Sequence, residues 1–151
     1  MKSYTLVSIA SFLIITNTVF ATTINIPADY STIQEGIDAA VDGDIIEIAQ
    51  GTYYENLTIN KEITLQSSVD FDLLEDEAVW HNNEYIKQTI INGSVNSDPN
   101  KRSCLIIRDG DIQPTIKGLT FEGGVGTRMS LGTSCASGTE RSGGGILIYD
   151  A

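Results

Sequence analysis

Histidine is almost missing from this sequence: His81 stands alone among 151 residues. A serine-type triad would have to be built on that one imidazole, and no nucleophile-elbow sequence accompanies it. Cysteine is nearly as scarce, and Cys104 and Cys135 cannot make a zinc site without further ligands. Their spacing does not choose between one disulfide and two buried thiols. Basic residues number nine against twenty Asp and Glu, for a formal net charge of −11. So acidic a surface argues against nucleic acid and anionic membrane as partners. Gly123-Gly124-Val125-Gly126 lacks the following Lys-Ser or Lys-Thr that a phosphate-binding loop requires.

Long apolar runs are also absent, with one short exception at residues 6–15, behind Lys2 and ahead of Val19-Phe20-Ala21. Basic start, apolar middle and small-residue ending predict a secretory signal peptide over residues 1–21, cleaved after Ala21. Thr16, Asn17 and Thr18 interrupt the run, which falls short of the roughly 20 residues a membrane-spanning helix needs. The expectation is a secreted chain, extracellular or on the cell surface, with no membrane span after cleavage. Its 41% apolar composition suits one domain with a modest core.

What is present in quantity is short alternation. In residues 44–67, Ile46 and Ile48 flank Glu47, Leu57 and Ile59 flank Thr58, and Ile63 and Leu65 flank Thr64. A period of two over so few residues means short strands. The separators read as turns, at Gln50-Gly51-Thr52 and Asn60-Lys61. Ahead of them, Thr23-Ile24-Asn25-Ile26 reads as a strand stopped by Pro27. Ser31 and Gln34 have capping-box spacing and predict a helix start. Ile33, Ile37, Ala40 and Val41 form its apolar stripe, Gln34, Glu35 and Asp38 face water, and Gly43 ends it. One amphipathic helix before a run of short strands predicts an N-terminal cap, residues 22–43, over a solenoid of residues 44–151.

Two stretches break the rhythm and read as insertions, residues 68–88 and 123–142. The first mixes six carboxylates with Phe71, Trp80 and Tyr85. Calcium or a sugar face would suit such a mixture, but the spacing fits no calcium-loop pattern and a self-packed excursion is the expectation. Strands resume at residues 88–93, 104–107 and 115–121, and a last one opens at Gly143-Gly144-Gly145-Ile146 and runs to Tyr149. A final coil without a cap is unusual in a solenoid, so the expectation is a partial solenoid continuing beyond Ala151.

Ile26-Pro27-Ala28-Asp29-Tyr30-Ser31-Thr32-Ile33-Gln34, Ile37-Asp38-Ala39-Ala40, Asp42-Gly43-Asp44 and Gly51-Thr52-Tyr53-Tyr54-Glu55-Asn56 together resemble the N-terminal cap and first coil of right-handed parallel β-helix proteins. This is the pectin lyase-like superfamily, with its pectinesterases, pectate lyases and secreted bacterial β-helix repeat proteins. The resemblance implies an all-β, right-handed parallel β-helix with a capping helix. It would place Gly51 at a turn, Tyr53 near the cap, and Asn56, Asn60 and Asn92 as either stacked corner asparagines or simple turn residues. It also implies, for an esterase, a carboxylate pair with arginine and glutamines, and for a lyase, a calcium site and an arginine base. No such set is legible. Asp109 and Asp111 beside Arg108 come nearest, and Asp109-Gly110 reads better as a turn, so catalytic and metal residues remain unassigned. Asn56-Leu57-Thr58 and Asn92-Gly93-Ser94 have the glycosylation acceptor pattern, meaningful only in a eukaryotic secretory pathway. Two functions are expected on this basis. The first is a secreted, non-catalytic β-helix module of adhesin or carbohydrate-binding type, with a polysaccharide or cell-surface glycan as partner, no cofactor evident and calcium compatible. The other is the N-terminal part of a pectinesterase or pectate lyase relative.

Overall fold

The computed structural model describes residues 20–69, 71, 83–98, 100–108, 111–130 and 139–149. The predicted signal peptide, most of the acidic insertion with His81, and Asp109 and Cys135 lie outside them. The alternating segments form strands β1 (Thr23–Ile26), β2 (Ile45–Ile48), β3 (Gly51–Tyr53), β4 (Leu57–Ile59) and β5 (Thr64–Ser67). They continue as β6 (Thr89–Asn92), β7 (Leu105–Arg108), β8 (Thr115–Lys117) and β9 (Thr120–Glu122). A separate hairpin, β10 (Thr127–Ser130) and β11 (Thr139–Ser142), precedes β12 (Ile146–Tyr149). Two short helices are described, α1 (Ile33–Ala39) and α2 (Glu84–Gln88).

The fold is predominantly β, with parallel strands in three sheets: β1-β2-β5-β8, β3-β6-β9 and β4-β7-β12. The chain visits first, second and third sheet in rotation, as β2-β3-β4, then β5-β6-β7, then β8-β9-β12. Parallel register stacks like on like. Ile24, Ile46, Leu65 and Ile116 form one column in the first sheet, and Tyr53, Ile91 and Phe121 one in the second. In the third sheet Leu57, Leu105 and Ile146 stack, as do Ile59, Ile107 and Ile148. Ile46, Leu65, Leu57, Ile59, Ile91 and Leu105 are fully buried, and each such side chain contributes about 1.5–3 kcal/mol relative to exposure.

Several expectations need correcting. Residues 44–67 hold four strands, not three, because Gly51-Thr52-Tyr53 is itself a strand that pairs with β6. The third predicted strand therefore begins the second round of sheets. Residues 115–121 are two strands, since Gly118 turns the chain between sheets at φ +61, and a Cβ there would stand 2.5 Å from Ser67 Oγ. Only glycine fits that conformation and that space cheaply. The first insertion ends in α2, where the sequence reads as loop, and the second contains the antiparallel β10–β11 pair. The last strand starts at Ile146 rather than in the glycine run. Those glycines serve contact instead: a Cβ on Gly124 would collide with the Gly144 carbonyl oxygen and stand 2.8 Å from Cys104 Sγ.

A helix stands where the sequence predicts one, packed on β1, β2 and β4, with Ile33, Ile37 and the following Ala40 buried. Its capping box lies one residue later than expected: Thr32 accepts from Glu35 N, and Glu35 accepts from Thr32 N and from the Ser31 hydroxyl. The overlapping pair Ser31/Gln34 loses because Gln34 is engaged elsewhere. Its amide reaches β4, where Thr58 N donates to Gln34 Oε1 at 2.9 Å and Gln34 Nε2 donates to Thr58 O at 3.2 Å. β4 is an edge strand, and Thr58 points both backbone groups away from β7, so one side-chain amide takes the place of a missing neighbour. Asp29 does the same for β1, accepting from Asn25 N at 2.7 Å while its own N–H donates to Asn25 O.

Both ends of α1 are held by the first round of strands. Glu55 accepts from Ile33 N and Gln34 N at 2.9 and 3.0 Å, satisfying orphan donors and complementing the helix dipole. Lys61 Nζ donates to the carbonyls of Ile37, Asp38 and Ala40 at 2.9, 2.7 and 2.7 Å. The helix stops at Ala39, with Ala40 extended at ψ 154, so Val41 leaves the apolar stripe and is exposed. Gly43, at φ +92, shapes the turn into β2 rather than the helix end.

Candidate functional site

Connections from the second sheet to the third lengthen along the molecule: residues 54–56, then 93–104, then 123–145. Each leaves from the same corner, so successive excursions gather on one flank, where loops carried by a rigid scaffold commonly do chemistry. The middle excursion opens with a 3-10 turn, Gly93–Val95, for which Asn92 Oδ1 accepts from Ser94 N. It continues through two side-chain turns, with Asp98 N donating to Asn96 Oδ1 and Asn100 N donating to Asp98 Oδ1, both at 2.9 Å. Such turns are what Asn and Asp do best outside regular structure. They present Lys101 to solvent and return the chain through Arg102, whose guanidinium donates to Ser97 O.

Asn56 fastens this excursion to the first round of strands. Its Nδ2 donates to Gly93 O at 2.8 Å and Ser103 O at 2.9 Å, and its Oδ1 accepts from Asn96 N. Gly93 must be glycine here, because a Cβ would stand 2.9 Å from Cys104 Cα and 3.0 Å from Asn56 Nδ2. The stacked corner asparagines expected from the resemblance are replaced by this one amide bound to backbone. Asn92 is extended, at φ −102, and donates to Glu122 Oε1. The last excursion is fastened in the same place: Ser103 N and Oγ meet Thr127 Oγ1 at 3.1 and 2.8 Å, and Ser103 Oγ also donates to Gly143 O.

Between α1, β4, β7 and the middle excursion lies a cleft of about 350 Å³. Gln34 and Asp38 line it from the helix, Thr58 and Asn60 from β4 and the turn after it, Asn56 and Asn96 from the fastened corner, and Lys101 and Arg108 from the opposite wall. Register fixes the last of these, since Ile59 pairs with Ile107 and so sets Asn60 beside Arg108. Gln34 Nε2 also donates to Asp38 Oδ1 at 2.8 Å, so the helix wall is internally satisfied. A hollow of about 510 Å³ adjoins it, sharing Asp38 and Asn60 and reaching Lys61.

Asp111 is exposed, Asp109 lies outside the described residues, and Arg108 points its chemistry to the cleft. No three His, Cys, Asp or Glu side chains converge to hold a metal among the described residues. Cys104 is a buried free thiol whose Sγ donates to Glu122 O at 3.1 Å. Tyr53 packs against the core, its hydroxyl donating to Ala49 O at 3.0 Å. Burial, and then the Glu55 carboxylate, push its pKa up, as a structural tyrosine rather than a reactive one. Asp29 is held below the ordinary carboxylate range chiefly by the Asn25 N–H, and Glu35 chiefly by the Ser31 hydroxyl. Both belong to the cap and not to the cleft. Lys101 and Asn96 were not foreseeable as site residues, because the excursion that carries them has no motif. No helix among the described residues is long and apolar enough to cross a membrane. No protein-family profile, curated protein or solved structure matches the chain.

Proposed function

We propose that this chain is a secreted module of right-handed parallel β-helix type, a relative of the pectin lyase-like proteins, that recognises a polysaccharide without transforming it. The observation that carries the reading is the amide-rich cleft on the flank where the excursions gather. With Gln34 and Asn56 spent on holding the walls, the Asn60 amide, Asn96 Nδ2, the Thr58 hydroxyl and the charged groups suit the many hydroxyls of an extended glycan, which needs oriented donors and acceptors more than an apolar pocket. The rotation of the chain through three parallel sheets supports the solenoid, and the sequence of residues 1–21 supports export.

Affinity electrophoresis of the mature protein through gels cast with a panel of plant and bacterial polysaccharides tests it directly. The expected result is retardation by at least one polysaccharide, lost in Asn60→Ala, with the polymer's chain length unchanged after incubation. Shortening of the polymer, or release of methanol from a methyl-esterified one, would replace the binding module by an enzyme.

A further inference from the structure

We propose that the cleft beside β4 and β7 is an oxyanion site, in which Arg108 and Lys101 receive a carboxylate, sulfate or phosphate group. This rests on the cleft being a ligand site, as above, and adds the chemistry of what it selects.

The cations of this protein are few, and three have visible structural work. Lys61 holds three helix carbonyls, Arg102 holds Ser97 O, and Lys117 sits 5.7 Å over the Phe71 ring. Arg108 and Lys101 line one cleft, and their side chains have no hydrogen-bond or ion-pair partner among the described residues. Arg108 is half-buried, so its charge has lost part of its hydration with no ion-pair partner among the described residues, a cost that a bound anion would offset. The surroundings favour such a ligand. Asn96 Oδ1 is already taken by Asp98 N, which leaves its Nδ2 as a donor, and the Asn60 amide adjoins Arg108. Among the described residues Asp38 is the one carboxylate of the lining, and its Oδ1 accepts from Gln34.

Both cations are placed in advance. Arg108 ends a strand paired on both sides, with β4 and β12. Lys101 follows the two side-chain turns, its own N–H donating to Asp98 O at 3.0 Å. A planar guanidinium takes two oxygens of one group at once, and an ammonium adds a point charge. Charge is also unevenly spread: fourteen of the twenty carboxylates but two of the nine basic residues lie in residues 22–92, whereas residues 93–151 hold six of each. At about 0.15 M ionic strength the screening length is about 8 Å, so carboxylates farther than that from the two cations weigh little on an anion in the cleft.

Carboxymethyl dextran, dextran sulfate, unmodified dextran and inorganic phosphate, each titrated calorimetrically at physiological ionic strength, supply the test. At least one charged probe is expected to bind and unmodified dextran is not; which charged probe wins identifies the group. Arg108→Gln should weaken binding about tenfold or more, the loss of one charge-assisted contact. Arg108→Lys should lose less, Lys101→Gln should lose several-fold, and Lys117→Gln should lose nothing. Equal binding of charged and unmodified dextran would overturn the proposal, as would full binding by Arg108→Gln with an unchanged circular dichroism spectrum. Phosphate binding that depends on Arg108, with no polymer bound, keeps the oxyanion site and sinks the polysaccharide reading. Binding of uncharged polysaccharides that depends on Asn60 and not on Arg108 does the reverse.

Discussion

The two ends of the three sheets are built from the same alternating pattern and treat it oppositely. Ile59 is fully buried, whereas Ile148, in the same column two strands away, is 70% exposed. Leu57 and Ile146 differ in the same direction, at 0% and 40%. Near α1 the columns end under Ile33, Ile37 and Ala40, and the edge strands β1 and β4 have side chains in place of the neighbours they lack. Around β8, β9 and β12 the last inward residues stand partly in water, including Ile116, Leu119 and Phe121. Apolar alternation therefore specifies strand and facing, and burial is decided by what lies next along the stack. Closing an end takes dedicated polar chemistry, here Asp29, Gln34, Glu55 and Lys61.

The comparison breaks most visibly in the columns. Leu57→Ala should cost about 2–5 kcal/mol, with a cavity left between fully packed neighbours. Ile148→Ala, a chemically similar truncation in a neighbouring column, should cost well under ~1 kcal/mol, in the range of surface substitutions. Urea unfolding of the pair reads the difference, and equal losses would mean the two ends are packed alike.

Next come the helix clamps. Lys61→Met keeps the aliphatic stem and removes three bonds to carbonyls, so a loss of about 1.5–3 kcal/mol is expected. Glu55→Ala removes the acceptor for two helix N–H groups and should lose about 0.5–2 kcal/mol, as other N-cap deletions do. Thermal melts followed at a helix-sensitive wavelength check both. A wild-type melt for Lys61→Met would show that the helix does not need its clamp.

The smallest effect is on pH. Asp29 and Glu35 have folded-state pKa values below their ordinary ones. The stability they add is complete above the ordinary carboxylate pKa and disappears as pH falls through the depressed one. Both are exposed, so the gain is modest. The gap in urea midpoint between the natural chain and Glu35→Gln should narrow as pH is lowered through the carboxylate range. A gap that widens in acid would contradict the assigned hydrogen bonds.

Much of this was legible in the residues. The alternations at Ile46/Ile48, Leu57/Ile59 and Ile24/Ile26 are strands facing one core, and Ile33 and Ile37 cover it. Other features were hidden by composition: Gly51-Thr52-Tyr53 opens on a glycine and holds one apolar residue, so it shows no alternation by which to tell it from a turn. Ser31-Thr32-Ile33-Gln34-Glu35 offers two overlapping capping boxes, and the winner depends on Thr58, over twenty residues away in sequence. The cleft was hidden for a similar reason. Asn56 and Asn60 read as corner residues and Arg108 as the neighbour of an Asp-Gly turn, and only the register of β4 on β7 sets Asn60 beside Arg108.

Hydrogen exchange at the Thr58 amide tests the sealed end most directly. Thr58 lies on an edge strand and points its N–H away from the sheet, where an amide ordinarily exchanges freely; with Gln34 Oε1 at 2.9 Å it should be protected nearly as well as Leu105 inside the same sheet. That protection should vanish in Gln34→Ala while Leu105 keeps its own. Rapid exchange at Thr58 in the natural chain, or protection that survives Gln34→Ala, would contradict a closure made by side chains.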